Sequence, residues 1–149
     1  MKFVIIVFSS FLFISNGFIC KEINLLELNK CNSYYDSTLN RRIYYDVSEK
    51  PVFYGGYSNF IKLFAESFEI SKFKNEDEFF EFYFKFNLII DCNGEVIKVS
   101  VDNKDKEKYN EMEIEGIRVI YLMPKWIPGK CEGRAVPVQT KLLFRIIPR

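Results

Sequence analysis

The stretch FEFYFKFNLII, Phe80 to Ile90, constrains the fold more than any other part of the chain. Phe80, Phe82, Phe84, Phe86, Leu88 and Ile90 occupy alternate positions, while Glu81, Lys85, Asn87 and then Asp91 fall between them. A period of two puts the six apolar side chains on one face of a strand, and a face of four phenylalanines must be covered. Cys92-Asn93-Gly94 follows, an Asn-Gly pair that reaches positive φ at little cost. The chain is therefore expected to reverse into EVIKVSVD, with Ile97, Val99 and Val101 turned to the same core.

Two segments have the spacing to cover that face. In PVFYGGYSNFIKLFAESF, Pro51 and Gly55-Gly56 mark a turn, and Phe60, Ile61, Phe64 and Phe68 recur at helical intervals. This predicts a helix from about Tyr57 to Phe68, with Ser58 as its cap. In NKDKEKYNEMEIEGIRVIYLM, Met112, Ile117, Ile120 and Met123 form one stripe of a second helix, which Pro124 ends. AVPVQTKLLFRII returns to strand spacing, with Val136, Val138, Leu142, Phe144 and Ile146 on one face and Gln139, Lys141 and Arg145 on the other. Pro137 lacks an N–H, which suits a strand start or an edge. The predicted fold is α+β, with two helices packed on one face of a small three-stranded antiparallel sheet. With 149 residues, 48% of them hydrophobic, the chain suffices for one core and not for two. That domain is assigned to residues 45–149. Residues 18–44 read as a lead-in carrying one short helix.

The first residues have the composition of an export signal: Lys2, the apolar FVIIVFSSFLF, then the more polar ISNG. Residues 1–17 are read as that signal. A retained membrane anchor is the rival, although Phe3 to Ile19 falls short of the roughly 20 apolar residues of a span. Lipidation of Cys20, giving a membrane tether, is a third reading. Without Lys2 the basic and acidic residues balance at 20 each, so net charge offers no attraction for nucleic acid.

Catalytic chemistry finds little support. The chain has no histidine, which removes Ser-His-Asp and Cys-His catalysis and the His-containing zinc patterns. Glu76, Asp77, Glu78 and Glu81 read as solvated charge ahead of a strand. Glu111, Glu113 and Glu115 stand where acidic residues complement a helix dipole. Gly55-Gly56 lacks the preceding strand and the lysine of a phosphate loop. No enzyme activity, cofactor or metal is expected.

The single tryptophan stands between two prolines in Met123-Pro124-Lys125-Trp126-Ile127-Pro128-Gly129, where a large ring is expected to plug the open end of the core under the first helix. This run, together with Gly55-Gly56 before the first helix and the DCNGEVIKVSV turn and strand, resembles the TonB C-terminal domain of Bacteroidetes-type energy transducers. The resemblance extends over roughly Tyr45 to Ile146. Tyr54 departs from it, standing where proline is usual, and so does the absence of the histidine found in the membrane helix of full transducers.

The resemblance implies a periplasmic or envelope-associated protein whose last strand lies at a sheet edge and accepts a segment of a TonB-dependent outer-membrane receptor, or of another envelope protein, as an added strand. The residues concerned are Val138, Gln139, Thr140, Lys141, Leu142, Leu143 and Arg145. A structural protein that dimerises through the same edge is the alternative. Export also favours disulfides among Cys20, Cys31, Cys92 and Cys131, for which three pairings exist. The expected topology brings the hairpin turn and the start of the last strand to one end of the sheet. Cys92–Cys131 is therefore predicted, with Cys20–Cys31 as its complement.

Overall fold

The structure is a computed structural model in which residues 31–73 and 82–147 are described. The export segment, Cys20, the first part of the lead-in, Glu76, Asp77, Glu78, Phe80 and Glu81 lie outside those residues. Among the described residues nine strands and two α-helices follow one another as β1 (Asn32–Asp36), β2 (Arg41–Asp46), β3 (Val52–Phe53), α1 (Gly56–Ser67), β4 (Phe82–Ile90), β5 (Val96–Val101), α2 (Glu111–Leu122), β6 (Trp126–Ile127), β7 (Lys130–Cys131), β8 (Arg134–Ala135) and β9 (Val138–Ile146).

The predicted three-stranded antiparallel sheet is corrected here. The main sheet is five-stranded and mixed, in the order β1-β2-β9-β4-β5, and two small sheets, β3-β6 and β7-β8, lie beside it. The α+β class with two helices stands. β4 pairs antiparallel with β9 from Phe82↔Ile146 to Ile90↔Val138, and with β5 from Phe86↔Val101 to Ile90↔Val96. The extra strands come from the lead-in, where a short helix is expected and a β1–β2 hairpin is found. Its turn is held by Asp36, whose Oδ1 accepts from the Thr38 N–H at 2.9 Å and the Leu39 N–H at 3.0 Å, and Asn40 adopts φ 49°. Such side-chain-to-backbone bonds favour turns over helix.

The phenylalanine face is buried as its period requires. Phe82, Phe84, Phe86, Leu88 and Ile90 form one core with Leu142, Phe144 and Ile146 of β9, Phe60, Phe64 and Phe68 of the first helix region, and Val119 and Ile120 of α2. Phe64 and Phe144 meet edge to face with centroids 4.6 Å apart, a favoured ring geometry. Removing any one of these buried rings is worth roughly 3–5 kcal/mol. Gly116 lets α2 sit against the sheet, since a Cβ there would lie 2.9 Å from Phe86 Cζ.

Two local expectations change. α1 starts at Gly56 behind a left-handed Gly55, with no side-chain cap, so Ser58 does not cap it. In β5 the ladder passes from Ile89↔Lys98 to Ile90↔Val96, leaving Ile97 as the extra residue of a bulge. Val96 therefore joins Val99 and Val101 against the core, and Ile97 does not.

The β1–β2 hairpin does not simply widen the sheet. The Tyr34 hydroxyl donates to Gln139 Oε1 on β9 at 2.8 Å, and Asp36 pairs with Lys98 on β5 at 3.0 Å. Gln139 and Lys98 flank Ile89 in one cross-strand row, so the hairpin lies across the face away from the helices. Ile43, paired with Tyr34, is fully buried, and Ile89 is buried as well.

Candidate functional site: the two edges of the sheet

Backbone direction in the ladder decides what each edge exposes. The Asp102 N–H donates to the Lys85 carbonyl at 2.8 Å, so Lys85 directs its peptide groups toward β5. Antiparallel partners alternate between bonded and non-bonded pairs. Leu143, paired with Lys85 across β4–β9, therefore turns its N–H and C=O away from β4. Lys141 and Arg145 share that direction, whereas Thr140, Leu142 and Phe144 bond inward. By the same alternation Val99 and Val101 face outward from β5.

The outer edge of β5 is closed. Val99 N–H donates to the Tyr121 hydroxyl at 3.1 Å, and Val101 N–H donates to the Tyr109 hydroxyl at 3.1 Å. Tyr121 is carried by α2, and Tyr109 immediately precedes its capping box, in which Asn110 and Glu113 satisfy each other's backbone N–H groups. α2 thus covers the core, and it and the residue before its cap each deliver one phenol to the strand edge.

The outer edge of β9 is closed only at its start. β2 meets it in one parallel bridge, Tyr44↔Val138, with Tyr44 N–H donating to the Pro137 carbonyl at 2.9 Å. Further along, the Tyr57 hydroxyl donates to the Leu143 carbonyl at 3.1 Å. Among the described residues no group outside the ladder takes the N–H of Lys141 or Leu143. Leu143 is 61% exposed and Tyr57 56%.

Of the residues predicted for an added strand, the structure therefore separates three sets. Lys141, Leu143 and Arg145 present backbone to the open edge. Val138, which carries the β2 bridge, and Leu142 are buried, and Gln139 is held by Tyr34. Thr140 directs its peptide groups to Leu88 of β4.

The face beside this edge is basic. Lys85 stands across from Leu143. Lys141 reaches Asp102 at 3.1 Å, and Asn87 donates to the same carboxylate at 3.0 Å. These bonds, from Asn87 first and Lys141 second, hold the Asp102 pKa below the usual carboxylate range. On the helix side, Glu115 is buried and forms a two-bond pair with Arg118 at 2.5 and 2.7 Å, which lowers its pKa likewise. That carboxylate also accepts the Glu69 N–H, and Arg118 reaches the Ser67 carbonyl, so the pair ties α2 to the end of α1.

The Pro-Trp-Pro-Gly corner is placed away from the edge. Trp126 packs on Phe53 at 5.3 Å and on Phe60 at 5.9 Å between centroids, and its backbone N–H donates to the Gly94 carbonyl at 2.8 Å. Gly94 has φ 80°, and a Cβ on it would fall 1.9 Å from the Trp126 carbonyl oxygen. The corner is thus docked on the β4–β5 turn, with Met123 partly buried against the core and Lys125 paired to Glu95 at 2.7 Å. Gly129 permits a close approach, its Cβ position lying 2.7 Å from Val138 Cγ2. Pro128 completes the corner beyond Ile127, whose partner Val52 belongs to the β3–β6 pair beside Gly55-Gly56.

The disulfide prediction is overturned. Cys131 is bonded to Cys31, with Cα atoms 6.1 Å apart across a separation of 100 residues, and Cys92 is engaged in a disulfide of its own. Both predicted pairs fail, because Cys31 and Cys131 are already joined. The reason is the hairpin. It brings Cys31 and Tyr44 to the start of β9, where they pack with Cys131, Val136 and Val138.

The roles of Tyr57, Tyr109 and Tyr121 are not visible in the residue pattern. Their signal was faint, a tyrosine at the mouth of each helix and one on α2's outer face. Among the described residues there is no cluster suited to a metal ion and no helix long and apolar enough to cross a membrane. The chain matches no protein-family model, no curated protein and no solved structure.

Proposed function

We propose that this protein is a non-enzymatic, exported envelope module that binds an extended segment of a partner protein by strand addition to β9. The observation that supports this reading is the asymmetry of the two sheet edges. Tyrosine hydroxyls close two successive outward N–H groups on β5, whereas on β9 no group among the described residues takes the outward N–H of Lys141 or of Leu143. Strand addition draws affinity from main-chain hydrogen bonds, which only an edge of the second kind can supply. A segment of a TonB-dependent outer-membrane receptor is the partner that the resemblance of the Met-Pro-Lys-Trp-Ile-Pro-Gly corner suggests.

Self-pairing through the same edge is the less favourable use. A two-fold antiparallel pair centred on Leu143 would employ the whole open run in both copies and would set Lys141 against Arg145 twice. Like charges directly opposed on a sheet are destabilising.

The test is titration of the full chain with extended peptides, followed by anisotropy, beside sedimentation of the protein alone. Saturable binding that is lost in Leu143→Pro, with the fold retained, is expected. Proline at 143 removes an outward N–H, whereas at Thr140 it would break the β4 ladder. Concentration-dependent dimerisation without peptide binding would replace this reading with the assembly role.

A further inference from the structure

We infer that the segment added to β9 runs antiparallel to it, with an aliphatic residue facing Leu143 and, two residues later, an aromatic one packed on Tyr45. The recognised ligand is then an extended aliphatic-x-aromatic peptide. This rests on the strand-addition reading above and adds the chemistry of the occupant.

The β1–β2 hairpin fixes where the guest stops. Its one bridge to β9, Tyr44↔Val138, is parallel, so the next residue of β2, Tyr45, stands beside Gln139 on the face away from the helices. Two contacts agree with that placement. The Tyr34 ring lies 6.5 Å from the Tyr45 ring, and the Tyr34 hydroxyl donates to Gln139 Oε1 at 2.8 Å. β2 ends at Asp46, and from Lys141 onward the place beside β9 passes to the guest. An antiparallel guest forms the more stable ladder per residue, and its direction brings its C-terminal end toward Tyr45.

Side chains on one face then select the occupant. The guest residue paired with Leu143 lies directly opposite it, on the same face. The next guest residue on that face pairs with Lys141. Same-face neighbours along a strand are about 6.8 Å apart, and this is also the step from Tyr45, beside Gln139, to the guest residue beside Lys141. Tyr45 is 55% exposed and Leu143 61%, so each leaves apolar surface in water that a guest side chain would remove. An aliphatic residue suits Leu143. A ring suits Tyr45, which already leans on Tyr34 with the two planes 32° apart, and a third ring extends that cluster in the offset or edge geometries that aromatic pairs favour. Neither contact draws on charge, and Lys141 keeps its pairing with Asp102.

The experiment compares peptides that differ only within three positions. Val-Thr-Phe, Val-Thr-Thr, Thr-Thr-Phe and the reversed Phe-Thr-Val, each set in the same neutral soluble frame, are titrated into the full chain by fluorescence anisotropy. Val-Thr-Phe is expected to bind about fivefold more tightly than Val-Thr-Thr, the worth of one aromatic pair. It should bind about threefold more tightly than Thr-Thr-Phe, in which a hydroxyl replaces a methyl facing Leu143. Tyr45→Thr should shrink the first margin to less than about twofold and leave the second, whereas Tyr45→Phe should retain both. Tighter binding of Phe-Thr-Val than of Val-Thr-Phe would overturn the antiparallel register, and an unchanged preference for the ring in Tyr45→Thr would overturn the aromatic contact. Equal binding of all four peptides to the unaltered protein would overturn the whole inference and leave strand addition standing. Failure of all four to saturate would remove strand addition as well.

Discussion

The β5 edge and the stretch of β9 beyond the β2 bridge end in opposite chemistry. On β5, Val99 and Val101 offer N–H groups outward and each meets a phenol acting as acceptor. On β9 the Tyr57 phenol acts as donor and takes the Leu143 carbonyl, and no group among the described residues takes the N–H of Lys141 or Leu143. An exposed row of peptide groups is a template for another chain, and proteins ordinarily blunt it. Here one edge is blunted at two successive outward N–H groups, while the other is blunted by one bridge at its start. The difference is one of helix placement. α2 and the residue before its cap supply two tyrosines to β5, whereas α1 lends a single tyrosine to β9.

The largest expected effect concerns the device that closes the start of β9. The Cys31–Cys131 disulfide spans a separation of 100 residues, and closing a loop of that length restricts the unfolded chain by about 4.7 kcal/mol in the chain-entropy model. It also tethers the hairpin that bridges Val138 and covers Ile89. The Cys31→Ser, Cys131→Ser double variant is expected to lose about 2–5 kcal/mol of stability in urea unfolding. Amide exchange at Gln139 should rise with it. An unchanged urea midpoint would show that the hairpin is held by packing alone.

A smaller loss is expected where β5 is closed. Tyr109→Phe and Tyr121→Phe each keep the ring and remove one acceptor, at about 1 kcal/mol apiece. Amide exchange should accelerate at Val101 in the first and at Val99 in the second, with little change at Leu143. The double variant turns β5 into an edge like β9, and it should begin to take up the peptides that bind β9. If Val99 and Val101 already exchange as fast as Leu143 in the unaltered protein, the contrast between the edges fails.

The parts of this comparison differ in how far they could be read from residues alone. β4 was legible because its inward face is apolar at every alternate position, and the β4–β5 turn because Gly94 stands where positive φ is required. The Trp126 corner was legible as a core plug, since two prolines and a glycine surround one large ring. The β1–β2 hairpin was not. The two buried residues of β2, Ile43 and Tyr44, are adjacent, one lying under the hairpin toward Ile89 and the other against the Cys31–Cys131 cluster. A strand buried on both sides at neighbouring positions shows no period of two. The disulfide error followed from that omission, because no partner for Cys131 was expected from the lead-in. The tyrosine closures were illegible for another reason. A hydroxyl meets a particular backbone group only after helix and strand have docked.

Acid should act on the hairpin next. Hydrogen bonds from Thr38 first, then the Lys98 ammonium and the Leu39 N–H, hold the Asp36 pKa far below its ordinary value. A carboxylate depressed in the folded state contributes stability above its unfolded pKa of about 4, and that contribution fades as pH falls from there through the folded value. Asp36→Asn is therefore expected to be less stable than the unaltered protein at pH 7, with the gap narrowing steadily below about pH 4. A gap that is constant from pH 7 to pH 3 would mean that the ionised carboxylate does not hold the turn to Lys98.

The smallest change tests the edge itself. A guest strand that pairs with β9 must donate an N–H to the Leu143 carbonyl, the position now taken by the Tyr57 hydroxyl. Tyr57→Phe removes that competitor while keeping an aromatic ring at the start of α1. The lost bond joins two exposed groups, so stability should fall by less than about 1 kcal/mol. Peptide affinity should instead rise by about two- to fivefold, since displacing the phenol no longer opposes binding. The two readouts move in opposite directions, which a general loosening of α1 would not produce. If affinity falls together with stability, Tyr57 is part of the surface that the guest contacts, and the open edge of β9 is shaped by its tyrosine and not shielded by it.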